Sequence, residues 1–149
     1  MKKTILTGAL ACAFQSAIAD DTPATFDLGT LVVTATRTPT PVRELLNDIS
    51  VITQEDIQRA GQTSLPELLR GQPGVEFSSN GGAGTSSNVF IRGANANHTL
   101  VLIDGMRVNS VTSGTAALEK IPLAQIERIE ILRGPGSALY GSEAIGGVI

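Results

Sequence analysis

LVLIDGMRVN, residues 100–109, decides the architecture. Leu100 to Ile103 run apolar without a break, then meet Asp104-Gly105, a dipeptide suited to a type I′ turn because both central positions need positive φ. Met106 to Asn109 returns as the partner strand. A strand that is apolar throughout is expected at the centre of a sheet, covered on both faces. Downstream, Pro122 stands near the start of a short helix that leads into RIEIL (128–132), where Ile129 and Ile131 share one face against Glu130 on the other. Upstream, Val89 to Arg92, Val75 to Ser78 and Ile49 to Ile52 read as further strands. After the last of these, Thr53 and Asp56 form a variant capping box for a helix through Ala60 that Gly61 ends. Ser64 with Glu67 repeats the device, Leu65, Leu68 and Leu69 make one apolar stripe, and Gly71 stops the turn. Two loops of small residues, NGGAGTSSN (80–88) and SVTSGTAA (110–117), and a glycine-rich tail fill the rest. The order predicts an α+β domain: a small mixed sheet of about four strands with short helices and long Gly-rich loops.

The first residues are an export signal in form. Lys2 and Lys3 precede an apolar run from Ile5 to Phe14, and Ala17-Ile18-Ala19 gives a small-x-small cleavage site. The expected organisation is a signal peptide at 1–19, a flexible arm at 20–43 and a globular domain at 44–149. Cys12 is the single cysteine and lies inside the leader; Ala9 stands where lipidation would need leucine. The exported chain is therefore expected to carry no thiol, disulfide or thiolate metal site. Without Lys2 and Lys3 it has nine basic and fourteen acidic residues, a net charge of −5, which argues against nucleic acid as a partner. A membrane-spanning helix would need an apolar run of about 18 residues, and the mature chain has none. A small transmembrane barrel would need aromatic girdles; the mature chain offers Phe26, Phe77, Phe90 and Tyr140.

Within the arm, DDTPATFDLG (20–29) is acidic and aperiodic, whereas TLVVTATR (30–37) is rich in β-branched residues and carries no turn former. Pro39 and Pro41 close that segment, since neither can donate to a ladder. It reads as an isolated strand between flexible stretches, suited to pairing with another chain.

Catalysis finds little purchase. His98 is the single histidine, so no two-histidine metal site can form within the chain. No Gly-x-Ser-x-Gly elbow is present. Gly136 to Ser142 imitates a phosphate loop, but Ser142 stands where lysine is required, and Leu139 replaces the third glycine of a dinucleotide fingerprint. No enzyme activity, catalytic residue, cofactor or metal ligand is expected.

TLVVTA (30–35), LLRGQPGV (68–75), NGG (80–82), FIRG (90–93), LVLIDGMRVN (100–109) and IERIEILRGPGSALYGSEAIGGVI (126–149) occur in an order that resembles the plug domain of TonB-dependent outer-membrane receptors. Within that family the chain is most similar to the cobalamin (vitamin B12) receptors. The resemblance implies a plug that fills a barrel of about 22 strands, its own or a separate one; the C-terminal barrel is expected to be absent from residues 1–149, as in a truncated receptor or an isolated plug. It implies the outer membrane as location and TonB as periplasmic partner, engaged through Thr30, Leu31, Val32, Val33, Thr34 and Ala35. It also implies ligand contact at Ser86, Asn88 and Asn95, and at Thr112 and Ser113. The implied function is gating of energy-coupled uptake of a metal chelate, with cobalamin favoured and a siderophore or other iron chelate as the alternative. A free periplasmic binding protein and a secreted serine hydrolase are the competing classes. Arg92, Arg133, Glu119, Glu127 and Glu130 are expected either to join plug to barrel or to pair within the domain.

Overall fold

The computed structural model describes residues 30–82 and 84–149. The leader and the acidic stretch 20–29 lie outside the described residues. In chain order the elements are β1 (Leu31–Val32), β2 (Thr40–Pro41), β3 (Asp48–Thr53), α1 (Gln54–Ala60), α2 (Leu65–Arg70), β4 (Val75–Ser79), β5 (Ser87–Ile91), β6 (Thr99–Leu100), β7 (Leu102–Ile103), β8 (Met106–Arg107), β9 (Arg128–Arg133), α3 (Ser137–Tyr140) and β10 (Gly147–Val148). Single 3₁₀ turns punctuate the longer connections.

One four-stranded sheet, in the order β3-β9-β10-β6, forms the frame. It is mixed: β9 pairs antiparallel with both β3 and β10, while β10 runs parallel to β6. The alternation of β9 explains how both faces are covered. Ile129 and Ile131, opposite Ile52 and Ser50, face a core that includes Ile57, Leu65, Leu68, Leu69, Val75, Val89 and Ile91. Leu132, opposite Ile49, faces a second core with Leu100, Tyr140, Ala144, Val148 and Ala35. Helices α1 and α2 and the β4–β5 hairpin thus cover one face, and α3 with the chain around Ala35 covers the other. No described helix is long and apolar enough to cross a membrane.

The local signals perform as their chemistry requires at several points. Thr53 accepts from the Asp56 amide, the Asp56 carboxylate accepts from Thr53, and Gly61 closes α1 in the left-handed conformation. These Thr53 hydrogen bonds, hydroxyl first, hold the Asp56 carboxyl below its ordinary value. Asp104 and Gly105 take φ of 50° and 78°, as a type I′ turn demands. Gly147 sits between β9 and β6, where a Cβ would run into the Leu132 carbonyl and the Ile91 side chain.

Three expectations change. The apolar run 100–103 is not central: Thr99–Leu100 is the edge strand, and Leu102–Ile103 turns away to pair with Arg107 and Met106. Its apolar character answers instead to burial of Leu100 and Val101 against different cores. Ser64 is the N-cap of α2 but its side chain makes no capping bond; Glu67 accepts from the Thr63 hydroxyl and amide one residue earlier, which lowers its carboxyl's affinity for a proton. Residues 30–41, finally, are not an isolated strand. β1 and β2 pair as a short antiparallel hairpin, with Val32 fully buried. Val42 donates to the Thr30 carbonyl, so pair 30/42 is the hydrogen-bonded kind, and Leu31/Pro41, one step along, is the kind that asks Pro41 for no N–H. A proline read as a terminator is therefore admitted to the ladder.

Candidate functional site

The segment Thr30 to Ala35 has two edges, because successive backbone groups of a strand point to opposite sides. One edge faces Thr40–Val42. On the other, the Val33 and Thr34 amides donate to Glu130 Oε2 at 2.9 and 2.8 Å, and the Thr34 hydroxyl donates to the same oxygen at 2.6 Å. Arg128 Nη2 pairs with Glu130 Oε1 at 2.7 Å, and its Nη1 donates to the Leu31 carbonyl at 3.1 Å. Leu31 C=O and Val33 N–H, two residues apart, lie on one edge, and an acid–base pair from the central strand β9 satisfies both. Beyond Val33 the chain turns: Thr36 and Arg37 amides donate to the Val33 carbonyl, and the Arg37 guanidinium lies 4.6 Å from the Tyr140 ring centroid. Val33 itself remains partly exposed.

The loop candidates occupy two places. Ser86 is exposed beside the start of β5, where Asn88 pairs across the hairpin with Ser78. Between Ser79 and Thr85 the turn is tied by hydroxyl bonds to the carbonyls of Gly81 and Gly82. Asn95 follows the other end of β5, about 13 Å of strand away along its axis, and precedes the 3₁₀ turn Ala96–His98. Thr112 and Ser113 are exposed on the loop 110–114, whose amides bond to Ser110 Oγ. Gly114 lies against Asn97, so the loops of Asn95 and of Thr112–Ser113 are neighbours. The structure thus pairs these two loops, and strand β5 runs between them and the Ser86–Asn88 turn. His98 is half-buried, and its carbonyl accepts from Gly146.

Of the charged group, Arg92, Arg133 and Glu130 form ion pairs with other described residues of the domain. Arg133, almost fully buried, donates through Nε to the Pro73 carbonyl at 2.6 Å and through Nη1 to Ser50 Oγ at 2.8 Å and Asp48 at 3.3 Å. Arg92, held at φ 52°, pairs with the other Asp48 oxygen. Two guanidinium groups therefore share one half-exposed carboxylate. Glu119 is partly buried and its Oε2 has no partner among the described residues, while Glu127 is exposed.

Glu130, one of the charged residues singled out from sequence, pairs with Arg128 within the domain, but its hold on the Val33 and Thr34 amides is not legible in the sequence; Leu132 on the same face signals a strand covered on both sides. Sequence reasoning missed two residues. Asp48 lies one residue before the strand assigned from sequence and pairs with a position 85 residues away. Asn109 is buried and bridges three backbone groups, accepting from Val101 N–H and donating to the carbonyls of Thr99 and Gly114.

Residues 41–148 match the family model described as the TonB-dependent receptor plug domain. Among solved structures, the siderophore receptor PirA from Acinetobacter baumannii is 36% identical with a TM-score of 0.55, over 72% of this chain and 17% of that one. A mutant form of the ferric enterobactin receptor PfeA from Pseudomonas aeruginosa is 35% identical with a TM-score of 0.57, over 80% and 18%. The ferric yersiniabactin uptake receptor FyuA from Yersinia pestis is 25% identical with a TM-score of 0.54, over 68% and 16%. The chain thus spans about a sixth of the length of these receptors. Homologues of this kind are outer-membrane proteins, and plug-containing receptors are transporters rather than enzymes. With its mixed sheet covered on both faces and a family match that runs from β2 to β10, the chain belongs to the TonB-dependent receptor plug domain family.

Proposed function

We propose that this plug gates energy-coupled uptake of an iron chelate through an outer-membrane barrel. The observation that carries the reading is the kind of relative it has: siderophore and ferric enterobactin receptors stand at about a third identity. Cobalamin, favoured on the motifs alone, gains no support from them, so the siderophore alternative becomes the reading. The loops of Asn95 and of Thr112–Ser113, with Ser86 and Asn88, would face the chelate, since small polar residues on loops carried by a rigid sheet shape such surfaces. Thr30 to Ala35 would be the segment that TonB takes by strand addition, where backbone hydrogen bonds supply affinity with little demand on side chains.

The test is a plug exchange. Residues 30–149, placed in a ferric enterobactin receptor from which its own plug is removed, should restore iron-chelate uptake; the same graft in a cobalamin receptor should not restore cobalamin uptake. Leu31→Pro should abolish uptake and leave chelate binding intact, because it deforms the strand without touching the loops. Uptake that survives Leu31→Pro rejects the coupling segment, and restored cobalamin uptake without iron-chelate uptake rejects the cargo.

A further inference from the structure

The geometry points to a clasp: Arg128 and Glu130 stand in for a neighbouring strand along the open edge of residues 31–34, and a partner strand can add there only after the clasp opens. This rests on the docking reading above and adds the device that controls it. A strand entering beside β1 would offer carbonyls to Val33 N–H and an N–H to Leu31 C=O. Both roles are already filled, the first by Glu130 Oε2 and the second by Arg128 Nη1. The two side chains also pair with each other at 2.7 Å, so neither can leave without exposing the other. The opposite edge of β1 is taken by β2. The segment is therefore closed on both sides, and the side-chain edge is the one that can open without breaking a backbone ladder. Glu130 is 9% exposed and Val33 39%, which places the carboxylate inside the domain and the strand at its surface. Arg128 and Glu130 are thus positioning residues that hold a recognition segment in an occupied state.

The experiment uses the full 149-residue chain, with backbone amide exchange at Val33 and Thr34 and, as an internal reference, at Ile52 and Ile131 in the central ladder. Glu130→Leu removes the acceptor, and Glu130→Gln keeps its size and one carbonyl oxygen should the first variant fold poorly. Exchange at 33 and 34 should rise about tenfold or more with Glu130→Leu, and less with Glu130→Gln, while Ile52 and Ile131 stay as they were. Unchanged exchange at 33 and 34, or an equal rise at all four, overturns the clasp. The periplasmic domain of TonB, titrated against the same proteins, should bind the Glu130 variants more tightly than the parent, and Leu31→Pro should remove that binding. If binding depends on Leu31 but is no tighter without Glu130, the clasp does not gate docking and the inference falls. If exchange rises locally and TonB binds neither protein, the clasp stands and the docking reading fails.

Discussion

Replacing Arg133 by methionine should cost far more than the same change at Arg92, although the two guanidinium groups share one carboxylate. Arg133 is 4% exposed and gives three hydrogen bonds, to Pro73, Ser50 and Asp48. Methionine matches its length but removes the charged donor from the part-buried bonds to the Pro73 carbonyl and the Ser50 hydroxyl, each worth about 1.5–3 kcal/mol at most, less where water reaches the exposed Pro73. Two effects work the other way. The variant no longer buries a charge, whose Nη2 has no partner among the described residues, and recovering that desolvation gives back part of the loss. Asp48 is 47% exposed, so it is not left as a buried charge and keeps Arg92. The net expectation is a loss of about 2 kcal/mol. At Arg92 the pair is half in water, 52% and 47% exposed, and screening holds its worth below about 1 kcal/mol. Urea unfolding of the two variants reads the difference directly: a midpoint shift of about 1 M for Arg133→Met and a few tenths for Arg92→Met at ordinary m-values. Equal shifts would refute the reasoning, because they would mean that burial of the first guanidinium decides nothing.

Asn109→Leu should lower stability by about 2–4 kcal/mol, since it strands three backbone groups in a site only 8% exposed; the same urea titration measures it. Gly147→Ala should cost about 3 kcal/mol or more, because the obstruction is the Leu132 backbone rather than a movable side chain; loss of the folded circular dichroism signal would report it. The Asp56 and Glu67 carboxyls are held below their ordinary values of 3.8 and 4.5, first by the hydroxyls of Thr53 and Thr63. A depressed folded value adds stability that is complete above the unfolded value and is lost as pH falls through the folded one. Melting temperature should therefore decline as pH drops through and below that range, and Thr53→Ala or Thr63→Ala should lower the plateau and flatten the decline; an unchanged acid limb in both would refute the linkage.

What the sequence discloses here is local. Thr53 with Asp56, Gly61 and the pair Asp104-Gly105 announce a cap, a stop and a turn because each acts within four residues on the backbone beside it. The β3–β9 ladder joins positions about 80 residues apart, with Ser50 opposite Ile131, and periodicity identifies both strands without naming their partner. The run 100–103 misleads for a related reason: apolar character reports burial, and burial is supplied there by two cores rather than by a central place in one sheet. Pro41 misleads because its effect depends on which kind of cross-strand pair it occupies, a property of the partner. At the site the same division holds. TLVVTA is recognisable as a strand in search of an edge, but that Glu130 fills the edge follows from the fold bringing residue 130 against residues 33 and 34.

The arm and the sheet differ in how they would meet a pull applied to the chain ahead of Thr30. The hairpin β1–β2 consists of two residue pairs, and its free edge is held by side chains from Arg128 and Glu130. The β3–β9 ladder has a six-residue register with an apolar core on each face. Local opening follows the least-supported unit, so load reaching Leu31 first strips the hairpin and the clasp while the ladder stays shut. Ala35 and Arg37 are the next points of resistance, one buried with Tyr140 and the other stacked over its ring. Tyr140 belongs to α3, and Arg107 Nη2 donates to its carbonyl at 3.0 Å. The first part of the domain to feel a pull after the arm is released is therefore the α3–β8 junction on the second face, away from the Arg92–Asp48–Arg133 group, which lies with Pro73 toward the first.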